Sequence, residues 1–254
     1  MYQEEKKYPK ISIITVVKNG EKHIEENLKS VASQTYPNIE QIIVDGDSKD
    51  RTKEILFKNN RENLKIISEP DDGLYYAINK GIQNSTGDIL GILNSDDYYY
   101  NNALEIVSKY FNQYPDIDFL YGSVFKHKLL YGFHPWKIYW TFGFYTSHSV
   151  GFFIRKSSQN LLGLYNTKYK YSADYDLFYK MIVKKKMKGI STKKNEVMGF
   201  FRPGGLSDQI KYIDYLQENT NIRLDNNQNF FIVMLIYFLR YIKRWKLIKK
   251  QSKQ

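Results

Sequence analysis

Between residues 11 and 117, short apolar runs alternate with stretches whose apolar residues recur at helical spacing, and this alternation limits the fold more than any other feature of the chain. Ile11-Ser12-Ile13-Ile14-Thr15-Val16-Val17 reads as a buried strand. Gln41-Ile42-Ile43-Val44 reads as a second, ending at Asp45. Residues 64–68 form a third, and residues 89–93 a fourth that stops at Asn94. Between them, Ile24, Leu28 and Val31 mark one helix, residues 50–59 a polar one, and Leu74, Ala77, Ile78 and Ile82 another. Leu104, Val107 and Phe111 mark a helix after the fourth strand. Such alternation predicts βαβ units, hence an α/β fold with a mostly parallel central sheet flanked by helices. In sheets of this kind ligands bind at the carboxyl ends of the strands.

Beyond residue 117 the pattern loosens. Residues 118–125 and 150–154 read as strands, with an aromatic-rich stretch at 131–145 between them. Residues 174–187 read as a helix with Leu177, Met181 and Lys184 on one face. A chain of 254 residues suits one large domain, here 1–207, followed by a helical extension over 208–254. Hydrophobic residues make up 42%, enough for a packed core, and the absence of cysteine excludes disulfides and thiolate metal sites. The first ten residues are polar, with no apolar core of a signal peptide, so the expected location is cytoplasmic.

The net charge of +11 resides in the second half, in a cluster from Lys184 to Lys194 and another from Arg240 to Lys253. The second follows Phe230 to Leu239, ten residues without a charge. That run is too short to span a bilayer, which takes about 20 residues. Two readings of residues 230–254 stand: a helix lying on an anionic membrane surface, or a helix packed on the domain with a solvated basic end.

Acidic residues recur where strands end or helices begin. Asp45 and Asp47 follow the second strand, Asp71 and Asp72 the third, and Asp96 and Asp97 the fourth, while Asp174 and Asp176 open a later helix. A single turn aspartate is ordinarily a helix cap or an Asx-turn. Three pairs at successive strand ends would instead crowd carboxylates onto one sheet edge, which is costly without a cation or donors. Oxygen ligands of this kind suit Mn²⁺ or Mg²⁺, which usually keep waters and substrate phosphates as their other ligands.

These residues carry a resemblance. The segments at 13–20, 30–38 and 72–81, Ile43-Val44-Asp45-Gly46-Asp47-Ser48-Lys49-Asp50-Arg51-Thr52, and Thr86 through Asn94-Ser95-Asp96-Asp97 are similar to those of the family 2 inverting glycosyltransferases of GT-A fold. The match covers residues 9–100 nearly unbroken and resumes more weakly to residue 207. It implies a nucleotide-sugar-binding half over 1–100 and an acceptor half over 101–207. By that resemblance Thr15, Val17, Asn19 and Asp45 border the nucleotide base, with Asp47 beside them. Asp72, Asn79 and Lys80 border the nucleotide and donor. Asn94-x-Asp96 replaces the usual Asp-x-Asp, which makes Asp96 the leading metal ligand, Asp97 a second ligand or a sugar contact, and Asn94 a partner for ribose. Asp174 matches the catalytic base that deprotonates the acceptor hydroxyl. Asp176 and His148 fall on the acceptor side. Arg202, in Arg202-Pro203-Gly204-Gly205-Leu206-Ser207, matches a loop over the donor diphosphate. The processive members' Gln-x-x-Arg-Trp motif does not occur, which favours single-sugar transfer.

The resemblance therefore implies an inverting, metal-dependent transfer from a nucleotide-diphosphate sugar, of the UDP-sugar kind, to a glycan or a lipid-diphosphate-linked acceptor in bacterial surface-polysaccharide assembly. Two other readings are weighed against it. A sugar nucleotidyltransferase would carry a Gly-rich, Arg-containing loop where Val17-Lys18-Asn19-Gly20-Glu21 stands. A nucleic-acid-binding module would interleave its aromatics with basic residues, but the 23 tyrosines are spread through the chain, so no nucleic acid is expected.

Overall fold

The computed structural model describes residues 8–139, 144–205 and 210–252. Residues 140–143 of the aromatic stretch, and Leu206 and Ser207 of the loop after Arg202, lie outside the described residues. The first half follows the alternation read from sequence: β1 (Ile11–Val17), α1 (Ile24–Ala32), β2 (Ile39–Asp45), α2 (Thr52–Lys58), β3 (Leu64–Ser68), α3 (Leu74–Gln83), β4 (Ile89–Ile92) and α4 (Ala103–Gln113), with a two-residue strand β5 (Tyr98–Tyr99) before α4. β1 pairs in parallel with β2 and β4, and β2 in parallel with β3. The carboxyl ends of these four strands therefore share one edge of the sheet.

β1 shows why this half forms as it does. All seven of its residues are buried, as a strand covered on both faces requires. Ile14 and Val16 face one cluster with Ile42, Val44 and Ile78 of α3. Ile11 and Ile13 face another, with Leu104 and Val107 of α4. Each such side chain, fully withdrawn from water, contributes roughly 1.5–3 kcal/mol.

The second half completes the seven-stranded sheet, order β10-β6-β9-β4-β1-β2-β3, from β6 (Phe119–Tyr121), β9 (Phe152–Arg155) and β10 (Gly189–Ser191). β9 is antiparallel to both β4 and β6. Its leading end therefore lies beside the carboxyl end of β4, which brings residues 148–151 to the same edge as Asn94. A second, four-stranded sheet, order β5-β11-β7-β8, adds β7 (Ser123–Phe125), β8 (Leu129–Leu130) and β11 (Val197–Phe200).

Three sequence expectations are corrected here. The strand over 118–125 is two strands in different sheets, broken at Gly122, where a side chain would meet Met198 Cγ at 2.2 Å. The strand over 150–154 starts only at Phe152, because Val150 sits at a φ of 70°. The helix over 174–187 is α6 (Ala173–Tyr179) running into a π-helical turn at Lys180–Lys184. The widened turn shifts the register, so Met181 is buried while Lys184 is exposed rather than sharing its face.

After α5 (Lys156–Leu162) and α6, the chain ends in α7 (Tyr212–Asp225) and α8 (Phe230–Gln251). Tyr212 N donates to Gln251 Oε1 at 2.9 Å, so the start of α7 meets the end of α8 and the two run antiparallel.

Candidate active site

The loop after β4 is braced from three other segments of the chain. Asn27, fully buried on α1, donates through Nδ2 to the carbonyls of Asn94 at 2.9 Å and Asp97 at 3.0 Å. Asn94 N donates to Ser149 Oγ at 2.9 Å, and the Ser149 hydroxyl donates to Asp97 Oδ2. Arg202 N donates to Asp97 Oδ1 at 2.7 Å. Asp97 is thus buried and held from two sides. Burial, then the negative charge of Asp96, pushes its carboxyl up to about 7. Next to Ser149, Val150 holds a left-handed φ that a β-branched residue adopts only under strain. That conformation places Val150 N on Ile92 O at 2.9 Å and Ser149 against the loop.

Asp96 is different. Among the described residues its carboxylate has no hydrogen-bond or ion-pair partner. The Gly-rich loop after β11 passes directly over it, and a Cβ at Gly205 would lie 3.1 Å from Asp96 Oδ2. Gly204 takes a φ of 92°, which suits glycine. No three His, Asp or Glu side chains among the described residues cluster as a metal cage. An ion that takes one or two carboxylates and completes its shell with phosphate and water fits this arrangement, and Mn²⁺ or Mg²⁺ is such an ion. Asn94 also leaves a buried amide oxygen, Oδ1, without a hydrogen-bond partner among the described residues. An unpaired buried acceptor is costly unless a ligand donor reaches it.

The other residues expected at the nucleotide end divide. Asn19 sits at a φ of 52° and ties two loops: its N donates to Ser48 Oγ at 2.7 Å, and its Oδ1 accepts from Lys49 N at 2.8 Å. Asp47, also at positive φ, is half-buried beside Lys49 and Lys53, whose ammonium groups hold its carboxyl down to about 2. Asp71 crosses above Gly46, where a Cβ would meet its Oδ2 at 2.4 Å, so glycine is required for that approach. Asp72 is exposed at the entrance to α3. Val17 is packed in the core at the end of β1.

Several expected contacts are committed inside the protein instead. Thr15 is fully buried and accepts from Gln41 Nε2 at 3.1 Å, away from the open edge, because it lies mid-strand on the face covered by α1. Asp45 is fully buried, with both carboxylate oxygens taken by Ser48 and Ser68. Lys80 pairs with Glu69 at 2.5 Å. The Arg202 guanidinium donates to Asp96 O at 2.9 Å and pairs with Glu26 at 2.6 Å, which clamps the loop rather than leaving the cation open. Asp176 is not brought to the acceptor side: it is 2% exposed, paired with Lys180 at 2.6 Å, and accepts from Asn226 Nδ2 at 2.8 Å. Two positions after Asp174 on a helix, it points toward α7.

Asp174 lies inside the first turn of α6, whose cap position is Ser172. Its carboxylate receives the hydroxyls of Tyr75 at 3.1 Å and Tyr145 at 3.4 Å, and Tyr175 N at 2.9 Å. Burial and then the Asp174 charge push the Tyr75 and Tyr145 phenols well above their ordinary range, so both remain donors. Tyr75 stacks on Tyr165, with ring centroids 5.6 Å apart. Tyr165 in turn bonds His148 Nε2 at 2.8 Å, and its backbone is held at both N and O by Asn79, each at 2.8 Å. Burial lowers the His148 pKa and the Asp174 charge opposes that shift. Asn79 and His148 are therefore joined to Asp174 through one aromatic cluster. Sequence reasoning did not single out Asn27, Tyr75, Tyr145 or Ser149. Asn27 had a signal, since it is a polar residue on the apolar stripe of Ile24, Leu28 and Val31.

The family description "Glycosyl transferase family 2" matches residues 12–167, more than half of the chain. The chain belongs to glycosyl transferase family 2. An uncharacterized glycosyltransferase of Rickettsia typhi is 29% identical over 188 residues, covering 68% of this chain and 59% of the relative. The chain thus spans about three fifths of the length of that relative. Among solved structures, S. aureus TarS 1-349 in complex with UDP-GlcNAc superposes with a TM-score of 0.67 at 17% identity, covering 92% of this chain and 73% of TarS 1-349. A mannosyltransferase of Pyrobaculum calidifontis in complex with GDP-Man and Mn²⁺ gives 0.66 at 16% identity, covering 97% and 74%. The fold of this family 2 member is the GT-A glycosyltransferase fold.

Proposed function

We propose that the chain transfers one sugar from a UDP-sugar to an acceptor hydroxyl, with inversion and with Mn²⁺ or Mg²⁺, at a membrane surface during surface-polysaccharide assembly. The observation that carries this reading is the pairing of two differently held carboxylates. The Asp96 carboxylate has no hydrogen-bond or ion-pair partner among the described residues, and Asp174 is aligned by two tyrosine hydroxyls. Family membership and the UDP-GlcNAc carried by TarS support the donor class. The Mn²⁺ in the mannosyltransferase supports the metal.

Asp174 takes the proton of the acceptor hydroxyl as its oxygen attacks the anomeric carbon. The bond to the diphosphate breaks on the opposite face, which inverts that centre. Tyr75 and Tyr145 hold the carboxylate in one orientation. Asp96 is the residue that would hold the metal, with Asp97 buried behind it; bound there, the ion offsets charge on the departing diphosphate. The family pattern assigns the ribose to Asn94. Arg202 fixes the Gly-rich loop above Asp96. The acceptor is a glycan or a lipid-diphosphate-linked sugar.

A panel of nucleotide-sugars, read by release of nucleoside diphosphate with lipid-linked acceptors supplied, tests the donor. Turnover with a UDP-sugar is expected, and turnover confined to guanosine or cytidine donors would reassign the base. Replacing Tyr75 by Phe removes one hydrogen bond to a charged group, an effect of about 1.5–3 kcal/mol. At the lower end that predicts a kcat lowered by about 10-fold. An unchanged KM is expected beside it, with a thermal midpoint lowered by a few degrees because the same bond also stabilises the fold. A fall in the thermal midpoint with kcat intact would make Tyr75 a packing residue only.

A further inference from the structure

α8 buries one face and opens the other. Val233 and Ile236, 1% and 7% exposed, lie on the buried face, and the end of the helix is tied to α7 at Tyr212. On the opposite face Phe231, Leu235, Phe238, Ile242 and Trp245 follow one another at spacings of four and three residues, so they form a single stripe. They are 80%, 54%, 55%, 67% and 49% exposed. A contiguous apolar stripe of this length is not an ordinary solvent face. The helix carries Arg240, Lys243, Arg244, Lys246, Lys249 and Lys250 and no acidic residue. No helix among the described residues is long and apolar enough to cross a membrane.

We infer that α8 lies in the plane of an anionic bilayer, with the Phe231-to-Trp245 stripe among the acyl chains and its basic last two turns on the headgroups. Charge selects this occupant. A second copy would set one acid-free basic helix against another, whereas an anionic surface complements it. The packing of one face on the domain leaves the opposite face for the membrane reading of this segment. The inference rests on the proposed function only for why a bilayer matters. α7, packed on α8, accepts the amides of Lys170 and Tyr171 with Glu218 at 2.6 and 2.8 Å. It therefore joins the docking helix to the segment that presents Asp174, which suits an acceptor sugar borne on a membrane lipid.

The test is co-sedimentation of the full chain with vesicles of phosphatidylcholine alone or mixed with phosphatidylglycerol, without donor or metal. Binding to the anionic vesicles is expected to exceed binding to the neutral ones by about 10-fold and to weaken with salt. The double variant Phe238→Glu/Ile242→Glu is expected to lose about 10-fold or more of the binding while its thermal midpoint holds. Lys249→Glu/Lys250→Glu should lessen the preference for anionic lipid. Equal pelleting of Phe238→Glu/Ile242→Glu and the parent would overturn the docking. So would a dimer in sedimentation velocity that this variant abolishes, since it would assign the stripe to a second copy. Nucleotide affinity measured in solution reports separately on the catalytic reading.

Discussion

Asp174→Asn is expected to lower kcat by about 10²–10⁴-fold, the contribution a positioned general base ordinarily makes. The affinity for UDP should stay within about 2-fold, because none of the contacts of Asp174 lies at the strand-end edge that holds Asn94 to Asp97. The amide keeps the size of the carboxylate and its Oδ1, so the hydrogen bonds from Tyr75 and Tyr175 N can persist. What it loses is the lone pair that takes the acceptor proton. Two measurements decide the matter: nucleoside diphosphate release in the presence of acceptor, and calorimetric binding of UDP. Turnover within about 3-fold of the parent would move the base elsewhere. Asp176 is the nearest carboxylate in sequence, but its ion pair with Lys180 and its burial under Asn226 leave it no route to a substrate hydroxyl.

The first half of the chain was legible because its signals are long and redundant. Seven consecutive buried residues in β1 and a repeating strand–helix order leave little room for another topology. The second sheet carried no comparable signal. β5 and β8 have two residues each, too few for any period to show, and β7 joins β6 through a single glycine that turns the chain into a different sheet. The helix after Asp174 was read as continuous because a π-turn leaves the composition helical while it changes which residues share a face.

Within the candidate site, position was easier to read than role. The family pattern assigns Asp45, Thr15 and Lys80 to the nucleotide end, yet their polar atoms are spent on Ser48 and Ser68, on Gln41, and on Glu69. A pattern of residue types shows that a carboxylate ends a strand. It does not show whether neighbouring hydroxyls already saturate that carboxylate. The converse holds for Tyr75 and Tyr145. Tyrosines among 23 carry no individual signal, and only the fold brings residues 75, 145 and 174 to one point.

The contrast between Asp96 and Asp97 leads to the second large effect. Both are carboxylates on one turn, yet Asp97 is buried and bonded to Ser149 and Arg202, while the Asp96 carboxylate has no hydrogen-bond or ion-pair partner among the described residues. Asp96→Ala is therefore expected to weaken UDP binding in the presence of Mn²⁺ by at least about 100-fold, since an ion held by so few protein ligands does not survive the loss of its leading one. The same change should leave the thermal midpoint of the ligand-free protein within about 2 °C, because the Asp96 side chain has no hydrogen bond to any of the described residues. Calorimetry of UDP with Mn²⁺, repeated with a chelator, separates the alternatives. If the parent binds UDP equally well with and without metal, Asp96 is not a metal ligand. If chelation and Asp96→Ala produce the same loss and do not add, the two act on one interaction, as expected of a carboxylate whose partner is the ion.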